Sequence, residues 1–188
     1  MNVQEATTRR LPDLKERHLP ENCRETINTI LKETYGYEQF RNLEIYDDLS
    51  KGKEKLCISQ GQLIENVILE AEKAWKGETQ VDNILLTAPT GSGKSLLFQL
   101  PAIYLGKEYN LLTIVVSPLK ALIVDQVESL QELGYTRVAY ASSDLSPEQK
   151  MEVYRQVREG EIDLFYLSPE LLLSYDIKHF VGERRIGL

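Results

Sequence analysis

The sequence predicts an α/β fold, a parallel sheet flanked by helices and preceded by a helical N-terminal segment. Three observations carry that expectation. From Val81 onward, short β-branched or aromatic runs alternate with stretches of helical period. A Gly-rich loop, Gly91-Ser92-Gly93-Lys94-Ser95, joins the first apolar run to the first of those helical stretches. Helix punctuation recurs at matching offsets, with Gly36, Gly134 and Gly160 closing helical patterns and Ser146-Pro147 opening one.

Composition narrows the class. The 188 residues are 42% hydrophobic and 27% charged, which suits a globular chain with room for one α/β domain. The net charge of −7 argues against nucleic-acid binding through bulk charge, so any such contact must be local. Cys23 and Cys57 stand far apart with no ligand spacing, and His18 and His179 read as incidental. No apolar run approaches the ~20 residues that span a bilayer, and the first residues lack a signal-peptide pattern. A cytoplasmic protein with no membrane partner is expected.

The elements follow in order. Residues 1–20 are polar and carry the charged run Arg9, Arg10, Lys15, Glu16 and Arg17, which reads as an extension or docking arm. Ile27, Ile30, Leu31 and Tyr35 then share one helical face, with Gly36 placed to cap it. Residues 42–59 mix charges with isolated apolar residues and read as an irregular excursion. Leu63, Val67, Ile68, Ala71 and Trp75 define a second amphipathic helix in which Trp75 is expected to pack. This makes residues 21–78 a helical segment, with residues 79–188 forming the sheet domain.

Within that domain, Ile84–Thr87 reads as the first strand, and Leu96, Leu97, Leu100 and Ile103 mark the helix after the Gly-rich loop. Residues 111–117, 137–142 and 162–168 read as the second to fourth strands, and Ile186–Leu188 as the start of another. Two helices separate the second to fourth strands, the later one opened by a capping box of Ser146, Pro147 and Gln149. Tyr104, Tyr140 and Tyr166 are expected in the core. Right-handed crossovers then imply a parallel sheet, with a ligand at the carboxyl ends of its strands.

The Gly-rich loop has the chemistry of a P-loop. Gly91 and Gly93 permit a tight turn that aims successive N–H groups into one concavity, and the following helix adds its positive dipole end there. Pro89, Thr90, Gly91, Ser92 and Gly93 would cradle the phosphates of ATP. Lys94 would reach the β- and γ-phosphates, and the Ser95 hydroxyl would hold Mg²⁺. Ala88 stands where the pattern's first Gly falls. Lys94 and Ser95 are the catalytic candidates.

These stretches, taken in order from Leu31 to about Leu173, resemble the RecQ-like DNA helicases of superfamily 2. Leu31, Tyr35-Gly36 and Phe40-Arg41 are similar to the family's motif 0, residues 88–102 to its motif I, and residues 115–127 to its motif Ia. Residues 166–172, with Ser168-Pro169-Glu170, are similar to its Pro-Glu motif. The resemblance implies the first part of a RecA-like ATP-binding lobe, with Tyr37 and Arg41 flanking adenine and Gln62 reading its edge. Charged residues are inserted between Arg41 and Gln62, and the helix after Gln62 runs longer than the family norm.

By the same resemblance, Ser117, Lys120, Asp125 and Gln126 contact single-stranded DNA or couple it to ATP, and the turn from Ser168 to Glu170 adds backbone contacts. Ser142 and Ser143 follow a strand and are candidate phosphate donors in their own right. The partners implied are ATP, single-stranded or branched DNA, and the remaining helicase lobes. No apolar strand here ends in the Asp-Glu that would hold Mg²⁺ for hydrolysis, so these residues alone are expected neither to turn over ATP nor to unwind DNA. Two other readings stay open at this point, a nucleotide-binding regulatory module that does not hydrolyse and a P-loop kinase acting on a small acceptor.

Overall fold

The structure is a computed structural model describing residues 16–46, 55–86 and 91–188. Two compact units emerge, one holding residues up to Thr29 together with Tyr37–Pro101, the other holding Ile30–Gly36 and Ala102–Leu188. Two helices, α1 (Glu21–Tyr35) and α3 (Leu96–Tyr109), contribute residues to both. Among the described residues, no helix is long and apolar enough to cross a membrane.

In the first unit, residues 42–59 correct the expectation of an irregular excursion. Strands β1 (Asn42–Tyr46) and β2 (Lys55–Ser59) pair antiparallel from Asn42↔Ser59 to Tyr46↔Lys55. The alternation that builds the hairpin was present, with Leu43 opposite Ile58 and Ile45 opposite Leu56, but the surrounding charges obscured it. Helix α2 (Gln60–Trp75) follows directly, with the Ser59 hydroxyl accepting from the Gly61 N–H as its N-cap. Leu63, Ile64, Ile68 and Ala71 bury its apolar face. Trp75, expected to pack, lies at the last position of the helix with 38% of its surface exposed.

The end of the presumed N-terminal arm is fixed in place. Arg17 donates to Glu70 Oε1 at 2.6 Å, the Leu19 N–H donates to Glu65 Oε2 at 3.0 Å, and the Leu19 side chain is buried. A second expectation is corrected over Ile84–Leu86, where no strand forms, while Thr87, the last residue of the expected strand, lies outside the described residues. Hydrophobic character makes a run available for pairing, but only a hydrogen-bonded neighbour makes it a strand. Leu85 is instead 92% exposed.

The second unit holds the parallel sheet, with strands β3 (Thr113–Val116), β4 (Val138–Ala141) and β5 (Leu164–Leu167) in the order β3-β5-β4. Helices α4 (Lys120–Glu132) and α5 (Pro147–Arg158) make the crossovers. All four residues of the central strand β5 are buried, each large apolar side chain stabilising the fold by about 2 kcal/mol. Phe165 and Leu167 pack with Tyr154, Val157 and, from the short helix α7 (Ile177–Val181), Phe180. Tyr104 and Tyr166 are buried as expected, whereas Tyr140 is half-buried. The expected capping box is present, with the Gln149 N–H donating to Ser146 Oγ and the Ser146 N–H to Gln149 Oε1.

Residues 185–188 run alongside β3. Leu112 bridges Ile186 in parallel, the Gly187 N–H donates to the Leu112 carbonyl at 2.9 Å, and the Ile114 N–H to that of Leu188 at 2.9 Å. The approach to this edge is anchored by a buried charge. Asp163 accepts from Arg137, Arg184 and the Tyr135 hydroxyl, which satisfies a carboxylate that would otherwise be costly to bury. Gly106 makes room for it, since a Cβ there would stand 2.3 Å from Asp163 Cγ.

Candidate nucleotide-binding site

The first unit assembles the nucleotide candidates from two loops. Gly91 and Gly93 take φ of 81° and 78°, conformations that L side chains rarely adopt and that backbone anion nests use. Helix α3 begins directly after, with its first turn closed by the Leu97 N–H to the Lys94 carbonyl and the Gln99 N–H to the Ser95 carbonyl. Lys94 is exposed and Ser95 half-buried at that helix start. Pro89 and Thr90, named above as phosphate contacts, and Ala88 lie outside the described residues.

These features fit the phosphates of a nucleotide. The Ser92 Oγ is buried with no hydrogen-bond partner among the described residues, a polar group inside a loop of matching chemistry. A cation at Lys94, a hydroxyl at Ser95 and a helix N-terminus complement the negative charge.

The hairpin resolves the separation between Arg41 and the start of α2. The Gln60 N–H donates to the Arg41 carbonyl at 2.9 Å, and the Arg41 N–H donates back to the Gln60 side-chain Oε1 at 3.2 Å. The pairing of β1 with β2 therefore brings Arg41 and Gln60, on either side of the inserted segment, together. Tyr37 is 50% exposed and Arg41 is exposed on the same loop, as stacking partners of a base must be. Gln62 is half-buried, and its Nε2 donates to the Arg17 carbonyl at 2.7 Å.

Sequence reasoning missed Gln60. Its Nε2 donates to the Ser92 carbonyl at 3.1 Å, tying the start of α2 to the phosphate loop. The only signal available was its place just after the N-cap Ser59.

In the second unit, the nucleic-acid candidates gather at the carboxyl end of the sheet. Val116, Leu167 and Ala141 share one register line, so the next residues, Ser117, Ser168 and Ser142, form a row across the three strands. The hydroxyls differ in access, because Ser142 and Ser168 are buried whereas Ser117 is half-buried and Ser143 exposed. Lys120 Nζ donates to Ser143 Oγ at 2.5 Å and to Asp144 Oδ1 at 2.8 Å, and Lys150 Nζ to the Ser143 carbonyl at 3.4 Å.

Glu170 is exposed at the start of α6 (Pro169–Ser174). Its own backbone N–H, the Ser168 hydroxyl and the Lys120 charge hold its carboxyl below the usual range. Asp125 is exposed and Gln126 half-buried further along α4. At ~100° per residue, Asp125 sits about 140° around the helix from Lys120, so the two do not share a face.

Residues 60–185 match the model of the DEAD/DEAH box helicase family, well over half of the chain, and the chain belongs to that family. Within it, the chain is RecQ-like. It is 32% identical over 165 residues to the ATP-dependent DNA helicase RecQ of Synechocystis, covering 88% of this chain and 28% of that protein. The RecQ helicase of Haemophilus influenzae is 30% identical over 161 residues (86% and 21%), and that of Bacillus subtilis 32% over 148 residues (79% and 20%). The chain thus spans between 20% and 28% of the length of these three relatives.

Proposed function

We propose that this chain is the ATP-binding portion of an ATP-dependent DNA helicase, one that binds ATP with Mg²⁺ through residues 89–95. The observation that carries the reading is the pair of positive-φ glycines, Gly91 and Gly93, immediately before Lys94 and Ser95 at the start of a helix. Lys94 neutralises the β- and γ-phosphates, and Ser95 supplies a hydroxyl ligand to the metal. Bound Mg²⁺ would offset charge on the phosphate oxygens during transfer to water. Tyr37 and Arg41 take the two faces of adenine. Gln62 exchanges its bond to the Arg17 carbonyl for the base edge, where an amide offers both a donor and an acceptor.

Single-stranded DNA lies along the carboxyl end of the sheet in the second unit. Ser117, Lys120 and Ser143 contact its backbone, Ser142 and Ser168 shape the edge from within, and Asp144, with Glu170 nearby, competes with the DNA phosphates for the lysine. Asp125 and Gln126, which stand on other faces of α4 than Lys120, serve the coupling of DNA binding to ATP rather than the contact that Lys120 makes. The names of the relatives, ATP-dependent DNA helicases, support this assignment.

Titration calorimetry with ATP and Mg²⁺ tests the reading. Lys94→Ala is expected to weaken binding more than tenfold, because it removes the lysine that faces the phosphates. Equal affinity in both proteins would contradict it.

A further inference from the structure

Gln60 is buried, 3% exposed, yet it sits at the first position of a helix and carries two polar atoms. A buried amide is expensive unless both halves are satisfied, and here each half is bonded to a different loop. Its Oε1 accepts from the Arg41 N–H at 3.2 Å, which belongs to the loop presenting Tyr37 and Arg41. Its Nε2 donates to the Ser92 carbonyl at 3.1 Å, which belongs to the phosphate loop. The main chain reinforces the first of these contacts, since the Gln60 N–H donates to the Arg41 carbonyl at 2.9 Å. Gly93 completes the arrangement, because a Cβ there would stand 2.6 Å from Gln60 Nε2 and push the amide away. The phosphate loop is thus shaped to admit this one side chain.

We infer that Gln60 is a positioning residue that holds the base-facing loop and the phosphate loop at the separation a nucleoside triphosphate spans. The inference rests on the proposed nucleotide reading and adds to it the residue that joins its two halves. Each half has its own ligand contacts, Tyr37 and Arg41 on one side and Gly91 to Ser95 on the other. A ligand long enough to occupy both gains from the second contact only if the two halves stand at a fixed spacing, by the same argument that governs a bivalent ligand. Breaking the strut leaves each half able to bind its own fragment and removes the advantage of spanning them.

The test compares two ligands, ATP and inorganic tripolyphosphate, each with Mg²⁺, on the 188-residue chain and on Gln60→Met, which keeps length and burial but loses both hydrogen bonds. ATP affinity is expected to fall at least fivefold while tripolyphosphate affinity changes less than twofold. A merely structural role would lower both by the same factor or neither, and either result overturns the inference. If Gln60→Met fails to fold by circular dichroism, Gln60→Asn takes its place. It stays uncharged but is one methylene too short to reach both Arg41 and Ser92, and the same split between the two ligands is expected. A wild-type chain that binds neither ligand would refute the nucleotide reading itself, whereas wild-type binding with no split refutes only the role of Gln60.

Discussion

At the scale of single residues, Glu70 shows how one carboxylate organises three segments. It is buried on α2, where Arg17 donates at 2.6 Å, Lys73 at 3.0 Å and the Asp82 N–H at 3.0 Å. Burial by itself would raise its pKa, but the Asp82 N–H, Lys73 and Arg17 together outweigh burial and hold the group below the usual carboxylate range. A carboxyl depressed in the folded state contributes stability above its unfolded value and loses it as the pH falls through the lower folded one. Glu70→Gln is therefore expected to destabilise the protein by about 2 kcal/mol at pH 7. In thermal melts that gap should close as the pH drops from about 4.5, and a gap that stays constant down to acid pH would contradict the assignment. The positive-φ turns at Gly91 and Gly93 and the helix that starts after Ser95 were readable in the sequence, since Gly residues at that spacing before an apolar periodic run act locally. Glu70 and Gln60 were not, because their roles come from partners as distant in sequence as Arg17 and Ser92.

At the scale of elements, the carboxyl end of the sheet sets competing demands on Lys120. Its ammonium is engaged by Ser143 and Asp144, and the Asp144 carboxyl is held below its ordinary range first by the hydrogen bond from Lys120. A DNA phosphate must compete with that carboxylate. Asp144→Asn is accordingly expected to strengthen single-strand binding about twofold, read by fluorescence anisotropy on a labelled oligonucleotide. Weaker binding in the variant would show that Lys120 does not face the strand. The elements themselves were read from sequence with uneven success. The capping box on α5 was evident because Ser146, Pro147 and Gln149 act locally. The β1–β2 pairing was missed since it depends on a partner nine or more residues away, and over Ile84–Leu86, the described part of the strand expected at Ile84–Thr87, no strand forms because an apolar run cannot specify its own neighbour.

At the scale of the whole molecule, a net charge of −7 and a proposed DNA edge with two lysines, Lys120 and Lys150, favour weak and local nucleic-acid contact. If those two neutralise two phosphates, the slope of log affinity against log salt should be about −1.4 on single strands. A slope steeper than about −4 would reveal a basic surface elsewhere. The α/β class, the parallel order and the family were all within reach of the sequence, because the alternation of strand and helix periods is a global pattern. The nucleotide site is central to the proposed function, and hydrogen exchange with and without ATP and Mg²⁺ tests it most directly. Slowed exchange is expected at residues 91–97 and, joined to them through Gln60, at residues 37–42 and 60–62. Protection confined to other segments, or none under conditions where ATP is bound, would contradict it.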